Sequence, residues 1–466
     1  MAKFRRFLFL GLILICGRPA TAAPTPAYPA QLRTFARAKE RQERQLAAQL
    51  QERLPAEVAS FFQSARRGDF PAMADTVARL GAQIAAGYEH FTNGLPAWLP
   101  FWQPMTEVET GYELFVQGGN HYPLALGEGI IQSLPKGSIY FGGTDAGRML
   151  VTVLSADHAQ GKPFYTLTQN ALADDQYMNY LRGIYGHFIH LPTTNELAQI
   201  QADYEAEALR RWQHDRQSPG EPHQVAPSEQ LRLVNGRLRV QGPVSVMAMS
   251  ARVVKWILEH NPRPEFYYEE SYPQELLFPY LSPHGLVFEL HHEPLAAWSV
   301  AQMNADHDYW TSQCGRWLGN WPQPNTPVAD LCARLSALHG PQGWPQFAGD
   351  RAFVTNAFAP RAFSKLRVAI AGLYQWRLAK PTETEDRWRL QYEASYAFRQ
   401  AYALDPTSPE VMYRFVNFLT TQSQVGDAIR VAQTTLALTP ENSPYHHQYE
   451  LLLAQLKPHE SAAAEP

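Results

Sequence analysis

Cysteine is scarce in this chain, at three in 466 residues. That excludes the small disulfide-dense scaffolds and the cysteine-rich metal folds. Charge of one sign is also lacking: the net charge is −4, the pI about 6.5, and no Lys/Arg block follows residue 35. A basic nucleic-acid binder is thereby excluded. Long apolar runs are missing too. The ten residues Phe7 to Cys16 form one run, well short of the roughly 20 that cross a bilayer comfortably. No Gly-x-Gly-x-x-Gly, Walker lysine, Gly-x-Ser-x-Gly elbow or His-Glu-x-x-His occurs. Nucleotide cofactors and a metal are therefore not expected, and no catalytic residue is assigned.

What is present is ample apolar material. Hydrophobic residues make up 45% and aromatic residues 12% of the chain, enough for two or three folded units. The N-terminus reads as an export signal. Lys3, Arg5 and Arg6 precede the apolar run, and Ala20-Thr21-Ala22 forms a small-residue cleavage site. Cleavage after residue 22 removes four positive charges, with Arg18, and takes the net charge from −4 to −8. An uncleaved signal anchor is the alternative, and the one route to a membrane. An exported pair, Cys314 and Cys332, can bridge or stay as two buried thiols.

The segment Ser138-Ile-Tyr-Phe-Gly-Gly-Thr-Asp-Ala-Gly-Arg148 carries the most structure. Strand formers end in paired glycines, a helix-capping pair follows, and then an amphipathic helix: the strand-turn-helix unit of α/β folds. A second strand at residues 163–168, a helix at 244–260 and strands at 265–269 and 285–290 extend the pattern, the last expected at a sheet edge. Leu231 to Val240 holds an Asn-Gly turn between alternating apolar residues, a hairpin signal. Polar groups at the strand ends mark a candidate ligand cleft: Gly142, Gly143, Thr144, Asp145 and Arg148 after the first strand, Gln169, Asn170 and Asp174 after the second, and Glu269, Ser271 and Tyr272 after the third. Glu270 neighbours Glu269, and only one of the two can face a given ligand. Such crevices are the default site of this architecture. The plainer alternative is that Thr144 or Asp145 caps a helix and Arg148 pairs with a carboxylate. The histidine clusters (His187 and His190, His291 and His292, Asp306-His307-Asp308) read as hydrogen-bonded or solvated.

Helical spacing dominates elsewhere. Residues 30–90 read as helix, with a turn at Gly68-Asp69. Residues 92–105 are dense in Pro and Trp and read as a rigid loop. Residues 213–229 read as a surface loop. Toward the C-terminus, Asp405-Pro406 and Thr439-Pro440 recur at about the 34-residue period of tetratricopeptide repeats. Ala394, Ala397, Phe398, Ala401 and Leu404, then Ala428, Ala432 and Leu436, fit the second helix of such a unit.

The runs GSIYFGGTDAGR, TLTQNALADDQYMNYLR and FYYEESYPQELLFPYLSPHGLVFEL resemble exported bacterial tetratricopeptide-repeat proteins of the Verrucomicrobia type. Their α/β region is similar to the soluble C-terminal part of the protein O-mannosyltransferase-like multi-span family. The likeness covers about residues 105–295 and the repeats. It implies a soluble module beside such machinery. Glycosyltransferase activity is not carried over, because it belongs to the multi-span part of those relatives. The expected organisation is a signal peptide at 1–22, a helical region at 23–104, a Rossmann-like α/β domain with a mostly parallel sheet flanked by helices at 105–300, a helical connector at 301–375, tetratricopeptide-like repeats at 376–457 and a disordered tail at 458–466. The expected role is an envelope or periplasmic module that binds a protein or peptide through the repeats. The alternative is an enzyme or ligand-binding protein acting on a glycan, or holding a small anionic ligand, through the cleft.

Overall fold

A computed structural model describes residues 30–85, 96–119, 121–143, 145–155, 157–226, 229–234, 237–341, 343–380 and 384–463. The export segment, Thr144 and the Asn235-Gly236 turn lie outside them, and so does the side chain of Asp145. The chain is mostly helical, at 67%, with a small mixed five-stranded sheet. Two compact units divide it. One comprises Met1–Leu281 with Glu289–Leu295, the other Ser282–Phe288 with Ala296–Pro466.

The first unit opens with helices α1 (Ala30–Gln49), α2 (Ala56–Arg67) and α3 (Phe70–Ala85). Gly68 ends α2 in the left-handed region, at φ 73°, and its N–H and that of Asp69 return to Ala65 and Ser64 carbonyls. That is the glycine stop expected at this turn. Helices α4 (Trp102–Gly118) and α5 (His121–Ser133) follow, and α1 packs on α2 and α4. The Pro/Trp-rich stretch thus turns helical at Trp102, one residue after the turn Leu99–Phe101. Pro104 sits in the first turn of α4, where its missing N–H costs nothing. Trp98 and Trp102 meet ring to ring at 5.9 Å.

The sheet follows. Its elements are β1 (Ile139–Gly142), α6 (Asp145–Leu154), β2 (Tyr165–Thr168), α7 (Asp175–Tyr185), α8 (Thr194–Gln217), the hairpin β3 (Gln230–Val234) and β4 (Arg237–Gln241), α9 (Pro243–His260), β5 (Phe266–Tyr268), β6 (Leu281–His284) and β7 (Val287–Leu290). Strand order is β2-β1-β5-β7-β6. Strand β1 runs parallel to β2 on one side and to β5 on the other. Strand β7 is interior rather than at the edge, because β6, which sequence did not reveal, pairs outside it. Pro283 suits β6 to that edge, where no ladder donor is needed. Strands β3 and β4 form a separate sheet that packs against α8 and α9 around Tyr204, Ala208, Leu238 and Val240. Helix α8 runs to Gln217, into the stretch expected to be a loop, and starts from a Thr193–Glu196 capping box.

The second unit is helical beyond its share of the β6–β7 hairpin. It holds α10 (Val300–Leu318), α11 (Val328–His339), α12 (Arg351–Thr355), α13 (Ala359–Leu378), α14 (Thr384–Leu404), α15 (Pro409–Thr421), α16 (Val425–Leu438) and α17 (His446–Ala463). From α13 onward each helix packs on the next, while α11 lies against both α14 and α16. Phe398 stacks on Phe415 at 5.8 Å and on Phe418 at 4.8 Å, joining α14 to α15. Helix α17 continues to Ala463, across the segment expected to be a disordered tail. Ala462 and Ala463 are strong helix formers and extend it. Cys314 and Cys332 are buried free thiols, and burial pushes them up to about 12 and about 11.

Candidate functional site

Three parallel strands finish side by side. Gly142 of β1 is in register with Thr168 of β2, and Phe141 with Tyr268 of β5. The chain leaves β1 toward β2 but later returns on the opposite side of β1 as β5. The carboxyl ends of β1 and β5 therefore form a topological switch point, where open α/β sheets place their ligands.

In this protein the crevice is filled from within. Glu269, just past β5, is 1% exposed. The Tyr140 hydroxyl donates to its Oε2 at 2.6 Å. A Cβ placed on Gly147 would lie 1.5 Å from that same Oε2. Gly147 is in the first turn of α6, so the carboxylate rests against a helix N-terminus, a favourable place for negative charge. A Cβ on Gly143 would lie 1.9 Å from the Glu269 carbonyl oxygen and 2.6 Å from the Ser271 nitrogen. One on Gly142 would lie 2.8 Å from Arg148 Cα. All three glycines let the start of α6 close onto β1 and β5. Burial, then the Glu269 charge, raises the Tyr140 hydroxyl well above its ordinary range, so it stays a donor.

The other candidates divide. Gln169 is fully buried, and its Oε1 accepts the Ser271 N–H at 3.2 Å. Its Nε2 is buried with no hydrogen-bond partner. Asp174 caps α7, accepting from Gln176 at 2.7 Å and Tyr177 at 3.0 Å. Arg148 presses its backbone against Gly142. Asn170 is half-buried, Glu270 is buried and Tyr272 is exposed. The strand ends are thus brought together as expected, while the carboxylate among them is enclosed. Tyr140 escaped sequence reasoning, although a tyrosine inside an apolar strand always raises the question of what its hydroxyl meets.

Beside the crevice a groove of about 370 Å³, counting space open to solvent, is lined by Ala173, Tyr204, Val240, Ser245, Val246 and Met249. Its walls are largely apolar, supplied by α8, β4 and the first turns of α9.

Two buried ionic clusters lie elsewhere. In the first unit Lys39 of α1 pairs with Glu107 of α4 and donates to the Tyr180 hydroxyl of α7 at 2.8 Å. Glu43, one turn on from Lys39, is fully buried, and neither carboxyl oxygen has a hydrogen-bond partner. Burial pushes it up to about 8, Lys39 opposing and Glu107 assisting. Burial also lowers Lys39 and, well below its usual range, nearby His158. In the second unit Arg367 Nη1 donates to Asp306 Oδ1 and Oδ2 at 3.0 and 2.9 Å, with both side chains fully buried. Tyr374 adds a bond to Asp306 at 3.1 Å, and Gln400 accepts from Arg367 Nε at 2.8 Å. Next to Asp306, His307 Nδ1 lies 2.9 Å from Glu393. Among the described residues no group of three or more His, Cys, Asp or Glu could hold a metal ion. No helix among them is long and apolar enough to cross a membrane.

No family model matches this chain, and neither a curated protein nor a solved structure matches it.

Proposed function

We propose that the protein is an exported envelope module whose C-terminal helices, stacked in the manner of tetratricopeptide repeats, bind a protein or peptide. The Rossmann-like unit then serves as a rigid body. The observation that carries this reading is the exposed aromatic pair on α14. Trp388 is 64% and Tyr392 38% exposed, their rings stacked at 5.5 Å. Tyr413 on α15 is also exposed, at 37%. Large exposed aromatics of this kind are what partner surfaces use as anchors. The periplasmic location rests on the N-terminal signal pattern, and the proposed place beside glycosyltransferase machinery rests on the resemblance alone.

The glycan-directed alternative needs an open crevice at the strand ends, and the buried Glu269 weighs against it. Of the aromatics near the strand ends and the Pro/Trp-rich stretch that could stack on a sugar, Trp98 is buried and Trp102 half-buried, while Tyr272 is 41% exposed.

The test compares the full chain with a Trp388→Ser, Tyr392→Ser variant in partner recovery from an envelope extract. The variant is expected to keep the fold, since Trp388 is mostly exposed and Tyr392 partly so, its ring stacked over that of His307 at 6.4 Å, and to recover at least tenfold less of a specific partner. Equal recovery by both would remove the role given to α14.

A further inference from the structure

We propose that the groove between α8, β4 and α9 binds a small amphipathic amine. Its apolar body lies against Val240, Val246 and Met249, and its ammonium group meets Glu205.

The groove selects an apolar body because its polar lining groups are already engaged. The Tyr204 hydroxyl donates to Glu229 Oε1 at 2.7 Å, and Ser245 makes a second hydrogen bond to that hydroxyl. Arg211 in turn holds Glu229 through both carboxylate oxygens. A polar group set against Tyr204 and Ser245 would give up its bonds to water without replacement. The walls, by contrast, present apolar surface that the fold leaves partly uncovered: Val246 and Met249 are only half-buried. The unbranched side chain of Met249 can refit itself to the shape of what it meets. The volume of about 370 Å³, counting space open to solvent, lies at the small end of the range for ligand pockets.

The choice of an amine comes from charge. Glu205 lines the groove one residue beyond Tyr204, is half-buried, and accepts the Gln201 amide at 3.1 Å. Both arginines that reach Tyr204 are matched by other carboxylates. Arg252 lies over the Tyr204 ring at 4.6 Å and pairs with Glu207, and Arg211 pairs with Glu229. These pairs cancel, and Glu205 is left with no cationic partner among the described side chains. Asp174 and Asp175 directly follow the wall residue Ala173, and among the described residues no Lys or Arg lines the groove. An apolar trough edged by negative charge is complementary to a cation with an apolar body, and it opposes a carboxylate of the same shape.

The test titrates the full chain with benzylamine, benzyl alcohol and sodium benzoate at neutral pH and low salt, binding being read from the NMR signals of the probes. The three share one apolar ring and differ in the charge of the head group. Benzylamine is expected to bind saturably and about three- to fivefold tighter than the alcohol, with benzoate the weakest. Glu205→Gln keeps an acceptor for Gln201 and removes the charge, so the amine and the alcohol should then bind alike. Val246→Trp fills the groove and should remove saturable binding of every probe. Should the Val246→Trp variant fail to fold, the parent and Glu205→Gln decide the matter between them, since the latter alters a half-buried side chain that carries no ion pair. Equal affinity of the parent for all three probes, no saturable binding of benzylamine, or an amine preference that survives in Glu205→Gln would each overturn the proposal. So would undiminished binding by a folded Val246→Trp variant.

Discussion

Two buried clusters, one in each unit, hold their charge by opposite rules. In the helical unit, Asp306 and Arg367 cancel each other, and Tyr374 and Gln400 take up further hydrogen-bonding atoms. In the sheet-bearing unit, Lys39 is matched by Glu107, and Glu43 is left as a second carboxyl with no counterion or hydrogen-bond partner of its own. A matched pair brings no net charge into the interior and locks its neighbours. A surplus carboxyl stays buried only by holding a proton, so its cost depends on pH. The lesson is that net charge within a buried cluster, rather than its number of ion pairs, decides whether it acts as a fastener or as a titratable load.

The comparison breaks first at Arg367. Arg367→Ala strands Asp306 in a fully buried position and should cost about 3–5 kcal/mol, measured by denaturant unfolding. A loss of less than about 1 kcal/mol would mean the pair is not the fastener described. Replacing both partners by apolar residues should cost much less than Arg367→Ala.

Glu43→Gln tests the other side. The folded group sits at about 8 against an ordinary 4.5. A raised carboxyl leaves stability intact below the lower value and drains it as pH climbs toward the upper one. The parent should therefore lose on the order of 3 kcal/mol over that window, after discounting for incomplete burial. The variant should hold a flatter profile and be the more stable protein near neutral pH. Parallel pH profiles for the two proteins would dissolve the contrast between the clusters.

Tyr140→Phe sharpens the picture with a smaller effect. It removes a hydrogen bond to a buried carboxylate and should cost about 2 kcal/mol, with the fold retained. A neutral substitution would show that other contacts suffice to hold Glu269.

The sequence made the parallel strands legible because each is a short apolar run closed by a polar turn. Ile139 to Phe141 and Phe266 to Tyr268 are buried throughout, as strands covered on both faces must be. Strand β6 was hidden because Leu281-Ser-Pro-His284 has neither alternation nor β-branched residues. The buried ions were half-legible. Lys39 and Glu43 fall on the stripe that holds Leu32, Phe35, Ala36 and Ala47 in α1, and charge on an apolar stripe signals a buried partner. That partner, Glu107, lies far along the chain on another helix, and periodicity says nothing about which helices meet. At the crevice, sequence pointed to strand ends that the sheet does bring together. Whether Glu269 lines a cavity or fills one depends on how closely α6 approaches β5, a distance set by tertiary packing on Gly143 and Gly147.

The boundary between the units runs through a hairpin, and this affects how the chain can be dissected. Residues Ser282–Phe288 belong with the helices, although the chain on either side of them belongs with the sheet. The polypeptide crosses the boundary three times, so a single proteolytic nick cannot release either half intact. A recombinant fragment begun at Ala296 would lack the Gly285 carbonyl that accepts the Trp310 indole N–H at 3.1 Å. Trp310 is fully enclosed, and its donor would be stranded. Efforts to prepare the helical half alone should retain that seven-residue tongue.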